Sequence, residues 1–411
     1  MSQRRAVVVG GVRSPFARAF GELRQLDTIA LGAAVVRGLL ERTQVARDEL
    51  DAIVWGGVVL PSATPNIARE IALELRLHDL EGMTVTRACA SGLQAITTAA
   101  AAIERGDADL VIAGGSDSTS HAEVALPHKL VQAAAPLALG KATLGDVIGM
   151  LAQLAPLHEL VPRVPRLAER TTGQVMGEAA EDMARRHEIP RAAQDEFAVR
   201  SHQRAAAAIA SGRFADEIVP VQTRDGRWVH CDQIVRGDAS VQRLAQLRPA
   251  FASDGTLTAG NSSALTDGAA ATLLASEETA RALGMTPLAA ITGWAYVAVD
   301  PADQLLIGPA LAIPKVLDRL GLALADIDLV DLHEAFAAQV LCVLKVLGGV
   351  DEERLDVHGG SIAIGHPFAA TGARMVTTMA NELHRTGKRT ALLGICAAGG
   401  LGAAAVLERV S

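Results

Sequence analysis

A stretch near the start of the chain returns in its second half, and that repetition constrains the fold more than any other feature. A helical pattern opening at Leu31-Gly32 runs through Asp48-Glu49-Leu50-Asp51 into the apolar run 52–55 and then Gly56-Gly57. Ile307-Gly308 opens the same order: a helical pattern, Ala325-Asp326-Ile327-Asp328, the apolar run 329–332, and His333-Glu334. The offset is 276 residues from Gly32 to Gly308 and 277 from Leu50 to Ile327; carried forward, the second value pairs Cys89 with His366. After each of these two residues come a helical pattern, a glycine (Gly106, Gly387), an apolar strand (110–113, 391–396) and a double glycine (Gly114-Gly115, Gly399-Gly400). The alternation predicts two α/β halves with covered sheets, related by a pseudo-twofold axis. Residues 121–250 have no counterpart and read as an inserted loop domain with helices at 181–186 and 191–209. Residues 1–120 are then the first half, completed by 251–275 with a strand at 270–275, and residues 276–411 are the second.

Half of the 411 residues are apolar and 20% are charged, which suits a large shared core and excludes wholesale disorder. A net charge of −8 gives no basic footprint for nucleic acid or an anionic membrane. The four cysteines are widely spaced without a CxxC pair, which predicts reduced thiols and a cytoplasmic protein. The apolar run before Arg13 has seven residues, too short for the core of a secretory signal. The uncharged stretch 391–407 holds four glycines, which suits strands and turns rather than a transmembrane segment. No HExxH, no Cys/His ligand spacing, no GxGxxG and no GxxxxGK[ST] occurs, so neither a metal nor a permanently bound cofactor is expected.

Four residues are candidates for chemistry. Cys89, in RACASG, stands between a strand at 83–86 and a helix start, where free amides and the helix dipole are expected to lower the thiol pKa and make a nucleophile. A small buried core thiol is the alternative. His366, in GGSIAIGHPFAATG, is held in a turn stiffened by Pro367, as a general base requires; a hydrogen-bonded turn histidine is the alternative. Its equivalence to Cys89 favours the functional reading. Cys396 ends an apolar strand ahead of Ala397-Ala398-Gly399-Gly400, where turn amides can hold an oxyanion, and otherwise reads as core. His333 follows the other repeat strand and, alone, reads as structural rather than catalytic.

The segments VRSPF, RACASG, TAGNSSALTDGAAA, HEAFA, GGSIAIGHPFAATGAR and CAAGGLG together resemble the thiolase family over essentially the whole chain. The resemblance implies a duplicated core of αβαβα layers with an inserted loop domain, and coenzyme A as co-substrate. It implies that Cys89 is acylated, that His366 activates it and that Cys396 moves a proton at the α-carbon. The HEAFA form, where many thiolases carry asparagine at the position of His333, resembles the β-subunits of fatty-acid-oxidation trifunctional complexes. His333 would there hold the thioester oxyanion, and the amides of Cys89 and Ala398 would form a second oxyanion hole. Many thiolases have glycine at the position of Ala398, so that amide depends on a φ/ψ that admits a Cβ. For CoA the resemblance implies Ser263, Arg236 and, over the pantetheine arm, Met176. The implied reaction is CoA-dependent cleavage of a 3-ketoacyl-CoA, with a biosynthetic acetoacetyl-CoA thiolase or a silent CoA-binding subunit as alternatives.

The implied partners are acyl-CoA, CoA, and a second copy in a homodimer or dimer of dimers. The stretch 143–160 carries an apolar stripe at helical spacing that is expected to pack on the core or to meet a hydratase/dehydrogenase α-subunit or a membrane surface.

Overall fold

Strand residues alternate between two sides, and here each side is apolar, so every major strand is covered twice. The strands are β1 (Ala6–Arg13), β2 (Ala17–Arg18), β3 (Ala52–Gly56), β4 (Glu81–Val85), β5 (Leu110–Ser118), β6 (Val221–Gln222), β7 (Trp228–Val229), β8 (Thr266–Ser276), β9 (Ala289–Ala298), β10 (Leu329–Leu332), β11 (Thr390–Ala397) and β12 (Leu401–Arg409). Among the described residues the helices of eight or more residues are α1 (Thr28–Thr43), α2 (Ile67–Glu74), α3 (Ser91–Arg105), α4 (His128–Ala138), α5 (Met176–Arg186), α6 (Arg191–Ala210), α7 (Gly308–Leu320), α8 (Ala337–Leu347) and α9 (Phe368–Thr386). This computed structural model describes residues 4–124, 126–138, 140, 143, 145, 148–149 and 168–410. Residues 122–167 form a unit of their own, which contains α4. Most of the apolar stripe at 143–160 lies outside the described residues.

The sheet order is β10-β11-β12-β9-β1-β8-β5-β3-β4, with β2 paired to β8 and with β6 and β7 as a separate ribbon. Read outward from the antiparallel β1/β9 contact, the order is mirrored. On one side β1 is antiparallel to β8, β8 to β5, and β5 runs parallel to β3. On the other β9 is antiparallel to β12, β12 to β11, and β11 runs parallel to β10. The duplication expected from the sequence is therefore a repeated strand order, to which the first half adds β4.

Residue alternation along the strands assigns the layers. In β8, Ala270 and Leu274 join a central cluster with α3 and α9, while Ala271, Leu273 and Ala275 face α1 and α2. In β12, Ala403, Ala405 and Leu407 join the same central cluster, while Ala404 and Val406 pack with α7, α8, α5 and α6. Two half-sheets thus enclose α3 and α9, and each carries a further helical layer outside. Helix α9 is buried without interruption from Phe368 to Ala380, which explains its alanines, threonines and glycine: a helix between two sheets has no room for a long polar face.

The two central helices meet backbone to backbone. A Cβ at Gly92 would lie 2.2 Å from the Ala369 carbonyl oxygen, and one at Gly372 would lie 2.5 Å from the Leu93 nitrogen. Asp117, at the end of β5, holds the start of α9 by accepting from the Ala369 amide at 2.6 Å, while its other oxygen accepts from Val58 and Val59 at 2.9 and 2.6 Å. A buried guanidinium fastens residues 217 and 232 to the core: Arg13 donates to Glu217 at 2.7 Å and to both oxygens of Asp232 at 2.7 and 2.8 Å. Glu217 in turn accepts from Thr378 of α9 at 2.8 Å.

Gly92→Ala should force α3 from α9 and lower the unfolding free energy by about 1–3 kcal/mol, the usual cost of overpacking. Urea denaturation followed by circular dichroism reads this, and an unchanged midpoint would show that the crossing yields freely.

Candidate active site

Cys89 is the last residue but one before α3, in a turn that ordinary residues resist. Ala88 has φ 45°, in the left-handed region that costs a residue with a Cβ about 1–2 kcal/mol. Local hydrogen bonds sustain it: the Ser91 hydroxyl accepts from the Arg87 amide at 2.7 Å and donates to the Ala88 carbonyl at 2.6 Å. Arg87 is itself fixed by donating to Gln94 at 2.8 Å and by lying 4.1 Å from the Tyr296 ring centroid. The result places the Cys89 sulfur where the backbone amides of Ala398 and of Cys89 itself favour its ionised form.

The Ala398 amide comes from the turn between β11 and β12. Positive φ falls on Gly399 (82°) and Gly400 (68°), which leaves Ala398 outside the left-handed region and its Cβ without strain. A Cβ at Gly400 would lie 2.3 Å from the Val299 carbonyl oxygen, so glycine there is required twice over. The Gly399 amide donates to Glu169 at 3.1 Å. Cys396, one residue from the end of β11, is 1% exposed, and its thiol titrates well above the usual range because of burial and then the nearby Cys89.

His366 occupies the place in the second half that Cys89 occupies in the first, directly before the start of α9. Gly365 before it has φ 111°, and a Cβ there would meet the Thr266 side chain at 2.8 Å. His366 Nδ1 lies 2.7 Å from Thr371 Oγ1, and that hydroxyl donates its single proton to the Pro367 carbonyl at 3.0 Å. Thr371 must therefore accept from Nδ1–H, which leaves Nε2 with a free lone pair. Nε2 is buried and has no hydrogen-bond partner among the described residues. His333, at the end of β10, has its Nδ1 3.0 Å from Ser361 Oγ, and its Nε2 is likewise buried without a partner. The two rings stack with centroids 4.1 Å apart, tilted by 42°. One donor atom each of Cys89, His333 and His366 lie within 4.8 Å of one another.

Cys89, His333 and His366 rest uncharged. Burial pushes the Cys89 thiol up to about 12, against the pull of the Ala398 amide. The thiolate expected from the helix start is thus corrected: the cost of a charge in a dense surrounding exceeds what two amides and a helix terminus return. Burial likewise takes His366 down to about 3, and burial followed by the charges of His366 and Arg374 takes His333 well below the ordinary range. Asp117 is raised to about 6 by burial, even with three amides donating to it.

Two segments of the chain match family descriptions: residues 6–278 match the thiolase N-terminal domain and residues 285–409 the thiolase C-terminal domain. The chain belongs to the thiolase family. It is 42% identical over 424 residues to the 3-ketoacyl-CoA thiolase of Erwinia tasmaniensis, covering 98% of this chain and 96% of that one. Among solved structures, it resembles the acetyl-CoA acetyltransferase of Bacillus anthracis with a TM-score of 0.87 at 35% identity, covering 99% of each chain. It resembles human mitochondrial 3-ketoacyl-CoA thiolase in complex with CoA with a TM-score of 0.88 at 30% identity, covering 100% of this chain and 99% of that one.

Within this thiolase the residues singled out for CoA are spread out. Arg236 is exposed and lines a cavity of about 310 Å³ with Arg18, His202, Arg243, Ser262 and Ile362, the last next to the serine that meets His333. Burial lowers His202 to about 4, and Arg236 adds to that. Ser263 is half-buried, its amide donating to Ala335 at 3.0 Å, and Met176 begins α5 against the second core cluster; neither lines this cavity. Sequence reasoning missed the orienting hydroxyls of Thr371 and Ser361 and the carboxylate of Asp117. Thr371 and Ser361 lie inside the quoted GGSIAIGHPFAATG segment, so proximity in sequence was the available signal. Asp117 had none.

A neutral thiol with a pKa about 12 gains thiolate about tenfold per pH unit through the neutral range. Alkylation of Cys89 by iodoacetamide, followed by mass spectrometry, should therefore keep accelerating up to pH 9; a plateau above pH 6 would reveal a preformed thiolate.

Proposed function

We propose that this thiolase is a 3-ketoacyl-CoA thiolase, a CoA-dependent acyltransferase that cleaves 3-ketoacyl-CoA to acetyl-CoA and a shortened acyl-CoA in fatty-acid β-oxidation. One observation carries the catalytic reading: donor atoms of Cys89, His333 and His366 lie within 4.8 Å of one another, and both histidine Nε2 atoms are buried with no hydrogen-bond partner among the described residues. The 42% identity to a 3-ketoacyl-CoA thiolase over nearly the whole of both chains supports the cleavage of 3-ketoacyl-CoA as the reaction. The neighbouring human thiolase with bound CoA supports CoA as co-substrate.

In this reading Cys89 Sγ attacks the 3-keto carbon while its proton passes to His366 Nε2. Because both groups rest neutral, transfer and attack proceed together, and the oxyanion formed is held by the amides of Cys89 and Ala398. The alkoxide collapses, the C2–C3 bond breaks, and its electron pair becomes the enolate of acetyl-CoA. Ser361 donates to His333 Nδ1, which sets the remaining ring proton on Nε2 to hold that enolate oxygen. Cys396 gives its proton to C2, and acetyl-CoA departs. A second CoA thiol returns a proton to Cys396 and attacks the Cys89 thioester, and His366 gives its proton back to the leaving Cys89 sulfur. The arginines at 18, 236 and 243 offer cations for the nucleotide phosphates, with Ser263 and Met176 assigned to the CoA arm by resemblance. Homo-oligomerisation and an α-type partner rest on the same resemblance. No helix among the described residues is long and apolar enough to cross a membrane.

Cys89→Ala should abolish thiolysis and leave no acyl adduct in the intact mass after incubation with acyl-CoA; measurable turnover would sink the assignment. Cys396→Ala should still acylate Cys89 but lose exchange of the acetyl-CoA α-protons with deuterated water, and loss of both together would refute this division of roles. His333→Asn should keep part of the activity, since an amide also donates to an oxyanion; a fall as deep as that of Cys89→Ala would assign His333 a proton-transfer step.

A further inference from the structure

We propose that Cys89, His333 and His366 form a Zn²⁺ site, and that zinc held there arrests acylation. The geometry has three parts. One donor atom of each residue lies within 4.8 Å of the others. Each histidine has Nδ1 engaged, by Ser361 in one case and by Thr371 in the other, so the free donor is Nε2 in both. Both Nε2 atoms are buried without a hydrogen-bond partner among the described residues, which costs free energy: His366 presents a bare lone pair, and His333 presents an N–H that becomes a lone pair once its ring proton moves to Nδ1.

The donor set is selective. One thiolate and two imidazoles are what a tetrahedral Zn²⁺ accepts from a protein when its fourth position stays open, whereas Mg²⁺ and Ca²⁺ require oxygen. Zinc at its usual bond lengths sets these ligand atoms roughly 3.3–3.8 Å apart, so the three need draw together by at most about 1.5 Å. Cys89 remains partly exposed, which leaves a route for entry and room for a water as the fourth ligand. The hydroxyls of Ser361 and Thr371 supply the outer hydrogen bonds that aim metal-binding imidazoles. The negative charge of Asp117 is close enough to act on Cys89, and it offsets part of the charge that the metal brings.

Binding balances simply. The Sγ–H bond breaks, its proton leaves to solvent, and a Sγ–Zn bond forms. His366 gives the Nε2 lone pair it already presents. His333 shifts its ring proton to Nδ1, which then donates to Ser361 Oγ, and gives its own Nε2 lone pair. No oxidant or reductant takes part. With the thiolate and the base both committed to the metal, nothing remains to attack the 3-keto carbon.

The site stands on geometry, while the arrest rests on the proposed thiolysis, so two readouts keep them apart. The reduced full-length protein is titrated with Zn²⁺ by calorimetry and with Co²⁺ by absorption. One ion should bind per chain, and the cobalt form should show a sulfur-to-metal charge-transfer band that Zn²⁺ abolishes. Cys89→Ala should lose the band and weaken Zn²⁺ by more than about 100-fold, and Thr371→Val should weaken it by about 10-fold. If Cys89→Ala does not fold, the wild-type protein carboxamidomethylated at Cys89 replaces it. Cobalt bound without the band, affinity unchanged by the loss of Cys89, or no heat at millimolar metal would each overturn the site. Acyl transfer to Cys89 is then followed by mass with and without Zn²⁺. An adduct that forms only in metal-free buffer supports the arrest, and one indifferent to bound zinc overturns it. No adduct in metal-free buffer refutes the catalytic reading and, with it, the arrest, while the cobalt band still decides the metal site.

Discussion

The crossing of α3 and α9 is the contact on which the rest depends. Two helices approach until Gly92 touches the Ala369 carbonyl and Gly372 touches the Leu93 amide, distances that no Cβ would permit. Each helix is the central element of one half, and each begins two residues after a residue of the candidate site. Bringing their N-termini together therefore brings Cys89 to His366, and the half-sheets on either side hold the crossing shut. Asp117 adds a second lock by joining the end of β5 to the start of α9.

The duplication produces a site that is asymmetric in chemistry though symmetric in backbone. The equivalent turns before α3 and α9 present a thiol in one half and an imidazole in the other. Each turn stores its own local strain, at Ala88 in the first and Gly365 in the second. A single gene half could supply only one kind of side chain at such a point. Two diverged halves facing each other bring a thiol and an imidazole to close range.

Burial sets the protonation states. The layers that fix the geometry also remove water, so cysteines and histidines rest uncharged. Directed lone pairs then carry more of the chemistry than charge does. Thr371 fixes which nitrogen of His366 is bare by handing its own proton to the Pro367 carbonyl. The amides of Cys89 and Ala398 favour the ionised sulfur, but burial outweighs them.

The sequence by itself determined the duplication, the equivalence of Cys89 and His366, and the family, because repeats and glycine-bearing turns are written in local order. The strands at 110–113 and 270–275 were legible as apolar runs but proved longer, reaching Ser118 and beginning at Thr266, since polar residues such as Asp117 and Asp267 are buried where the two halves meet. Helix α5 was legible only from 181 and starts at Met176, where the capping glutamate Glu178 accepts from the Val175 amide. Tertiary structure alone decided the charge state of Cys89, because a helix start is a local feature and desolvation is a property of everything packed around it. It also decided the meeting of His333 with His366 and the admissibility of alanine at 398, where the left-handed turn falls one residue later, on Gly399. Such facts depend on how packed segments are placed in space and on backbone angles, and no spacing along the chain encodes them.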